Sequence, residues 1–173
     1  MGKKQEEFMK KSHVSALIFL LLIIYFAGCR NQGREERAYE IKAQGLGELI
    51  AKQASACVSQ SRAYVAIWEY AKVSEMEFEE AAAEMLGAET RQNKAMMVEN
   101  KAMIETLLEE LQDPPKKFEE YYKRLMELHA IYVQLHTLAL DPSDDMEEHN
   151  EKVNSLADRI AEKKRELDAT LIM

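Results

Sequence analysis

Residues 121–139 read YYKRLMELHAIYVQLHTLA, and Tyr121, Leu125, Leu128, Tyr132, Leu135 and Ala139 fall within them at alternating steps of four and three. That rhythm lines six apolar side chains along one stripe of an α-helix, so this stretch is a helix with a single buried face. Its expected limits are about Lys116 and Leu140. Upstream, Asp113-Pro114-Pro115 stops any helix, because Pro114 disfavours α geometry at Asp113 and neither proline donates a backbone hydrogen bond. Downstream, Asp141-Pro142-Ser143 turns the chain.

The same rhythm recurs on both sides. Ile50, Ala54, Cys57, Ser61, Tyr64, Trp68 and Ala71 form a narrow seam on a first helix, firm from about Glu48. Gly45 and Gly47 each cost about 1 kcal/mol in a helix interior, so Ala38 to Leu46 is expected to fray or kink. Ser74 followed by Glu77 matches a capping box for a second helix, from about Glu75 to Gln112. Met97, Ile104 and Leu111 stand seven apart on it, Leu107 and Leu108 fill between them, and Gly87 is its weak point. A fourth helix opens with Asp144, Asp145, Glu147 and Glu148, which suit a positive helix N-terminus, and Asp144 to Glu147 repeats the cap spacing. Its stripe is Met146, Asn150, Val153, Ala157, Ile160, Lys164, Leu167 and Leu171.

Four amphipathic helices joined by short turns define an all-α fold, an up-down-up-down antiparallel four-helix bundle with helices about 20° off parallel. The lengths do not match. With Glu36 to Leu46 included, helices one and two each approach forty residues, about 57 Å, whereas helices three and four reach only about 40 Å. Either the tip from Arg62 to Gly87 is a protruding helical hairpin carrying Tyr64, Trp68, Tyr70 and Phe78, or the chain bends at Gly87 or frays, and those aromatics are buried.

The first thirty residues follow a different pattern. Lys3, Lys4, Lys10 and Lys11 precede an apolar block from Val14 to Ala27, which ends at Gly28-Cys29-Arg30. The block is shorter than the ~20 residues a helix needs to cross a bilayer and matches a signal-peptide core. Phe26-Ala27-Gly28-Cys29 resembles the lipobox of bacterial lipoproteins, although the family usually carries leucine where this chain has Phe26. The resemblance implies cleavage before Cys29, a diacylglyceryl group on its thiol, and durable anchoring to the extracytoplasmic face of a membrane. Arg30, which is not aspartate, implies by the same resemblance that sorting to an outer membrane is permitted where the cell has one. The expected organisation is residues 1–28 as lipoprotein signal peptide, 29–36 as lipidated cysteine and flexible tether, and 37–173 as the all-helical domain.

Composition narrows the function. The chain has a net charge of −8, and beyond residue 28 the 19 basic and 29 acidic residues leave it near −10. Such a surface repels phosphate backbones, and no basic cluster with interleaved aromatics occurs, so nucleic acid is not an expected partner. Lys116-Lys117 and Lys163-Lys164-Arg165 are bracketed by glutamates and read as solvated faces. With Cys29 lipidated, Cys57 has no partner for a disulfide and behaves as a small core hydrophobe.

The chain lacks the usual signatures of chemistry. The residues three before His129, His136 and His149 are Met126, Val133 and Met146, so the Glu-x-x-His pairs of di-iron bundles are missing. There is no nucleophile elbow and no phosphate-cradling glycine loop. His129 and His136 lie on nearly one side of a helix but about 10.5 Å apart along it, too far to share an ion. They are candidate ligand-contact residues at the stripe's edge, and the polar Gln92, Asn93 and Asn100 are further seam candidates. Eight methionines beyond residue 28 are spread along the helices in the manner of core fillers.

Tyr64, Trp68, Tyr70 and Phe78 concentrate near the first turn; pointing inward they are core, pointing outward they are candidate partner-binding residues, since aromatics anchor interfaces. The expectation is a membrane-anchored, non-enzymatic helical module for an envelope protein partner, with no cofactor and no metal. The alternative is a bundle that binds a small molecule or metal. A leucine-filled centre favours the former, and a pocket with convergent polar groups the latter.

Overall fold

The computed structural model describes the backbone of residues 2–86, 88–142 and 145–170, and the side chains of 33–86, 92–142 and 145–170. These residues are all-helical, with no strand among them. The order is α1 (Gly2–Ser74), α2 (Phe78–Met85), α3 (Ala88–Glu110), a 3-10 turn (Lys116–Phe118), α4 (Glu119–Leu140) and α5 (Met146–Ala169). The chain divides into two compact units, Met1–Glu40 and Ile41–Met173, and the core described below belongs to the second. Among the described residues no helix is long and apolar enough to cross a membrane. The side chain of Cys29 lies outside the described residues. Residues 33–36, expected within a flexible tether, have helical backbone; their Glu and Arg are good helix formers.

The centre is aliphatic. Ile50 of α1, Ile104 of α3, Leu125, Leu128 and Leu135 of α4 and Leu167 of α5 are each 0% exposed. Burying each such side chain stabilises by about 1.5–3 kcal/mol. The α1 seam behaves as its spacing predicts, with Ile50, Ala54, Cys57, Ser61, Tyr64 and Ala71 all buried and Trp68 half-buried.

Polar bonds join the helices. Tyr121 donates to the Ala43 carbonyl at 3.4 Å and Tyr64 to that of Ala139 at 2.9 Å, tying α4 to α1 at both ends. Lys42 meets Glu110 at 3.0 Å and Asn100 Nδ2 donates to Gln53 Oε1 at 3.1 Å between α1 and α3. Lys164 reaches Glu48 at 2.7 Å from α5 to α1, while Arg124 meets Glu166 at 2.9 Å and Lys163 meets Glu127 at 3.2 Å between α4 and α5. An exposed pair such as Lys42–Glu110 is worth at most about 1 kcal/mol, so it sets register more than it stabilises.

Four expectations need correction. The stretch from Ala38 to Leu46 is not frayed: it is helical, with Ala43 and Leu46 buried. Gly47 explains why, because a Cβ there would meet Leu167 Cδ2 at 2.9 Å and the Tyr121 hydroxyl at 3.3 Å. The glycine admits close packing that more than offsets its poor helix propensity.

Second, the expected single helix from Glu75 to Gln112 is two. Ser74 ends α1 instead of capping the next helix, Glu75 takes a left-handed turn (φ 56°), and Met76 N–H closes on the Ala71 carbonyl at 2.9 Å. Glu77 is the N-cap of α2 with no side-chain cap bond, and Leu86 ends α2 in extended backbone. The break is a tertiary choice. Folding α2 onto the end of α1 buries Ala81 against Tyr64, Ile67 and Ala71 and partly covers Trp68, Tyr70, Phe78, Ala82 and Leu86. Of the two arrangements open for the aromatics, a protruding hairpin or burial, burial fits: they belong to a small core, with Tyr64 1% exposed.

Third, the buried stripe of α5 is His149, Val153, Leu156, Ile160 and Leu167, whereas Met146 and Asn150 are exposed. His149 takes the inward place because its ring packs on Tyr64 and Trp68. Fourth, the α5 cap lies one residue later than expected: Asp145 accepts from Glu148 N–H at 2.7 Å, satisfying an amide that would otherwise lack a partner.

Candidate functional site

The sequence-predicted residues fall into two groups. At the aromatic end, α1 supplies Tyr64, Trp68 and Tyr70, α2 supplies Phe78, and α5 adds His149. Trp68 and Phe78 stack, with ring centroids 4.7 Å apart and planes at 29°. His149 lies 5.3 Å from the Trp68 ring, and Tyr64 meets both Phe78 (6.4 Å) and His149 (6.1 Å) edge-on. Tyr64 is structural: its hydroxyl donates to Ala139 and the Lys94 ammonium lies 5.2 Å over its ring. The same ammonium donates to the Leu140 carbonyl at 3.2 Å, placing a cation at the negative end of α4. Tyr70 packs against the same core and extends its hydroxyl to Glu84 Oε1 at 3.2 Å.

A groove of about 630 Å³ opens beside these rings, lined by Trp68 and Phe78 with Glu77, Glu79, Asp141 and Pro142 around them. A second groove of about 640 Å³ runs between α4 and α5, with Leu138 and Leu156 beneath Gln134, Lys152, Ser155 and Arg159. Both are surface features.

His129 and His136 belong to the seam between α3 and α4, one on each side of Tyr132 at 6.1 and 5.8 Å between ring centroids. They do not converge on a common point. His136 is buried, and its Nε2 lies 3.2 Å from the Met97 carbonyl, to which its protonated form or tautomer donates. His129 is half-buried, and its Nε2 has no hydrogen-bond partner among the described residues. The Lys101–Glu105 ion pair of α3 acts on both rings. Burial lowers the pKa of His129 and, against the Met97 hydrogen bond, of His136; Glu105 opposes the shift in both and Lys101 adds to it. The Lys101 bond holds the Glu105 carboxyl below its ordinary value, and burial raises the Tyr132 phenol above its own. Among the described residues no three His, Cys, Asp or Glu side chains are placed to hold a metal ion.

Cys57 is buried and its thiol is pushed up to about 12 by desolvation, so it stays protonated and unreactive at neutral pH. Of the polar seam candidates, Asn100 bonds Gln53 across α1 and α3 and Asn93 is exposed. Gln92 is exposed as well.

Sequence reasoning missed His149, Lys94 and the Lys101–Glu105 pair. His149 was legible in principle, four residues before Val153 and in register with Ile160. Lys94 carries no local signal, and the Lys101–Glu105 pair, though at i,i+4 spacing, acts on the histidines only when α3 is set against α4. No family model, no curated protein and no solved structure matches the chain.

Proposed function

We propose that this chain is a bacterial lipoprotein: exported, lipidated at Cys29 and held on the extracytoplasmic face of a membrane as a non-enzymatic helical module for an envelope protein partner. The short apolar block before Ala27-Gly28-Cys29 supports the anchor. The observation that carries the module reading is the closed aliphatic centre, where Ile50, Ile104, Leu125, Leu128, Leu135 and Leu167 leave no exposure at all, while aromatic rings stay half-covered at one end. Chemistry on offer to another molecule is therefore on the outside.

Within this reading the helices form an up-down-up-down arrangement. Ala43–Tyr121 and Tyr64–Ala139 run in the same sense, which supports a parallel α1 and α4. Lys42–Glu110 and Gln53–Asn100 run in opposite senses, as do Glu48–Lys164 with Tyr64–His149, and Arg124–Glu166 with Glu127–Lys163. Antiparallel neighbours with parallel diagonals are what short turns dictate.

Metabolic labelling with a fatty-acid probe tests the anchor. Cys29→Ala is expected to abolish incorporation and leave the precursor uncut, and equal labelling of variant and wild type would overturn it. Capture from native membranes with the anchored protein, read by mass spectrometry, tests the module; an envelope protein retained by wild type and lost with the soluble variant is expected.

A further inference from the structure

The groove at the aromatic end differs in chemical character from the α4–α5 groove, which carries Lys152 and Arg159. Its floor is the stacked pair Trp68 and Phe78, and its rim carries three carboxylates, Glu77, Glu79 and Asp141. Among the described residues that line it there is no lysine, arginine or histidine. Elsewhere the acidic surface is partly neutralised by its own bases: Glu48, Glu110, Glu120, Glu127, Glu148 and Glu166 all have ion-pair partners. The three rim carboxylates make no ion pair among the described residues.

We infer that this groove receives a lysine or arginine side chain of the protein partner. The inference rests on the proposed module reading and adds the chemistry of the contact. The first-turn amides of α2 contribute about half a positive charge near Glu77, and Asp141 lies at the C-terminus of α4, where the helix contributes about half a negative one. These cancel, and three full negative charges remain. Half-buried rings suit a basic side chain in a second way: its methylene stem packs on the ring faces and edges while its charged head reaches the rim, and a guanidinium also stacks. The molecule already uses this pairing in the same cluster, where the Lys94 ammonium rests over Tyr64. At about 630 Å³ the groove is in the size range of ligand sites and holds one long side chain with its flanking backbone.

Trp68 is the only tryptophan in the chain, so its emission reports directly on this groove. The full chain in nanodiscs is titrated with pentalysine and pentaarginine, with pentaglutamate as the control of opposite charge and tetramethylammonium as a small free cation. A saturable change in Trp68 emission is expected with the basic peptides only. Glu77→Gln/Glu79→Gln/Asp141→Asn should weaken it at least tenfold, whereas neutralising three remote glutamates, Glu109→Gln/Glu119→Gln/Glu120→Gln, should shift it less than threefold. Equal losses from the two triple variants would reduce the effect to net charge and overturn the inference, as would an unresponsive Trp68. Saturation by tetramethylammonium at the peptides' concentrations would overturn the assignment to a protein side chain. A photo-crosslinker at Ala83 or Ser155, read in native membranes, separates this from the broader reading. Capture through Ser155 alone sinks the groove and leaves the module; capture through neither sinks the module too.

Discussion

From Gly47 to Leu135 the helices close over aliphatic side chains that leave no exposed surface, whereas from Tyr64 outward the same α1 seam runs into rings that stay half-covered and into two breaks of the chain, at Glu75 and Leu86. Both regions follow one four-and-three rhythm. They differ in what opposes it: the aliphatic region has α1, α3, α4 and α5 to fill its centre, while α4 stops at Leu140, beside Tyr64 and Lys94. Past that point α1 has apolar residues and too few partners, and α2 folds back to supply them. A helix break, with its unfavourable left-handed residue, is there the cheaper solution.

The largest test of this contrast is in the centre. Leu128→Ala or Leu135→Ala, each at a fully buried site, is expected to cost about 2–5 kcal/mol. Phe78→Ala, whose ring is only half covered, should cost about half as much, and the exposed Glu119→Ala or Glu120→Ala almost nothing. Urea denaturation of the five variants checks the ranking. A Phe78 loss larger than the leucine losses would reverse the roles given to the two regions.

A smaller effect with a change of sign comes from two glycines two residues apart. Gly47→Ala forces a methyl to within 2.9 Å of Leu167, which is fully buried and held by its neighbours, and should destabilise by about 1–3 kcal/mol. Gly45 has nothing within 4 Å of its virtual Cβ, so Gly45→Ala should stabilise by about 0.5–1 kcal/mol through helix propensity alone. Thermal melts read the pair, and destabilisation by both would mean that α1 is not packed against Leu167 as described.

These two glycines also mark where the sequence is legible. Helix propensity treats them alike and predicts fraying; only the approach of Leu167 and Tyr121 tells them apart, and that is long-range information. The α4 stripe and the α1 seam were readable because each buried residue is apolar and periodic. The break at Glu75 was not, since a glutamate gives no sign of a left-handed turn and Ser74–Glu77 offered a local cap instead. The candidate site was legible as a cluster of aromatic types, but not as a groove, because Asp141 and Pro142 reach it from a turn far along the chain.

Acid should weaken the fold through groups in both regions. His129 and His136 between α3 and α4, and His149 at the aromatic end, have pKa values lowered from 6.5 in the folded chain, chiefly by burial. Unfolded histidines take up protons as pH falls through 6.5 while the folded ones resist, so stability drops in that window and levels off below the folded values. Glu105 and Glu166 act lower, their stabilisation being lost as pH falls through their depressed carboxyl values. Urea midpoints at pH 7.5 and 5.5 should differ, and His136→Gln with His149→Gln should shrink the difference. An unchanged difference in that double variant would place the proton uptake elsewhere.

The smallest expected effect bears on the break itself. Glu75 at φ 56° occupies the position after a helix that glycine usually fills, and the Met76 N–H to Ala71 carbonyl bond of 2.9 Å completes that type of helix end. A left-handed conformation costs a non-glycine residue about 1 kcal/mol, so Glu75→Gly should stabilise by about that amount and raise the melting temperature by about 2–4 °C. If Ser74 instead capped one long second helix beginning at Glu75, glycine at 75 would sit in the first turn of that helix and destabilise by up to about 1 kcal/mol. The sign of the shift in a circular-dichroism melt therefore decides between a chain that folds α2 back over its aromatic rings and one that leaves them on a straight, protruding hairpin.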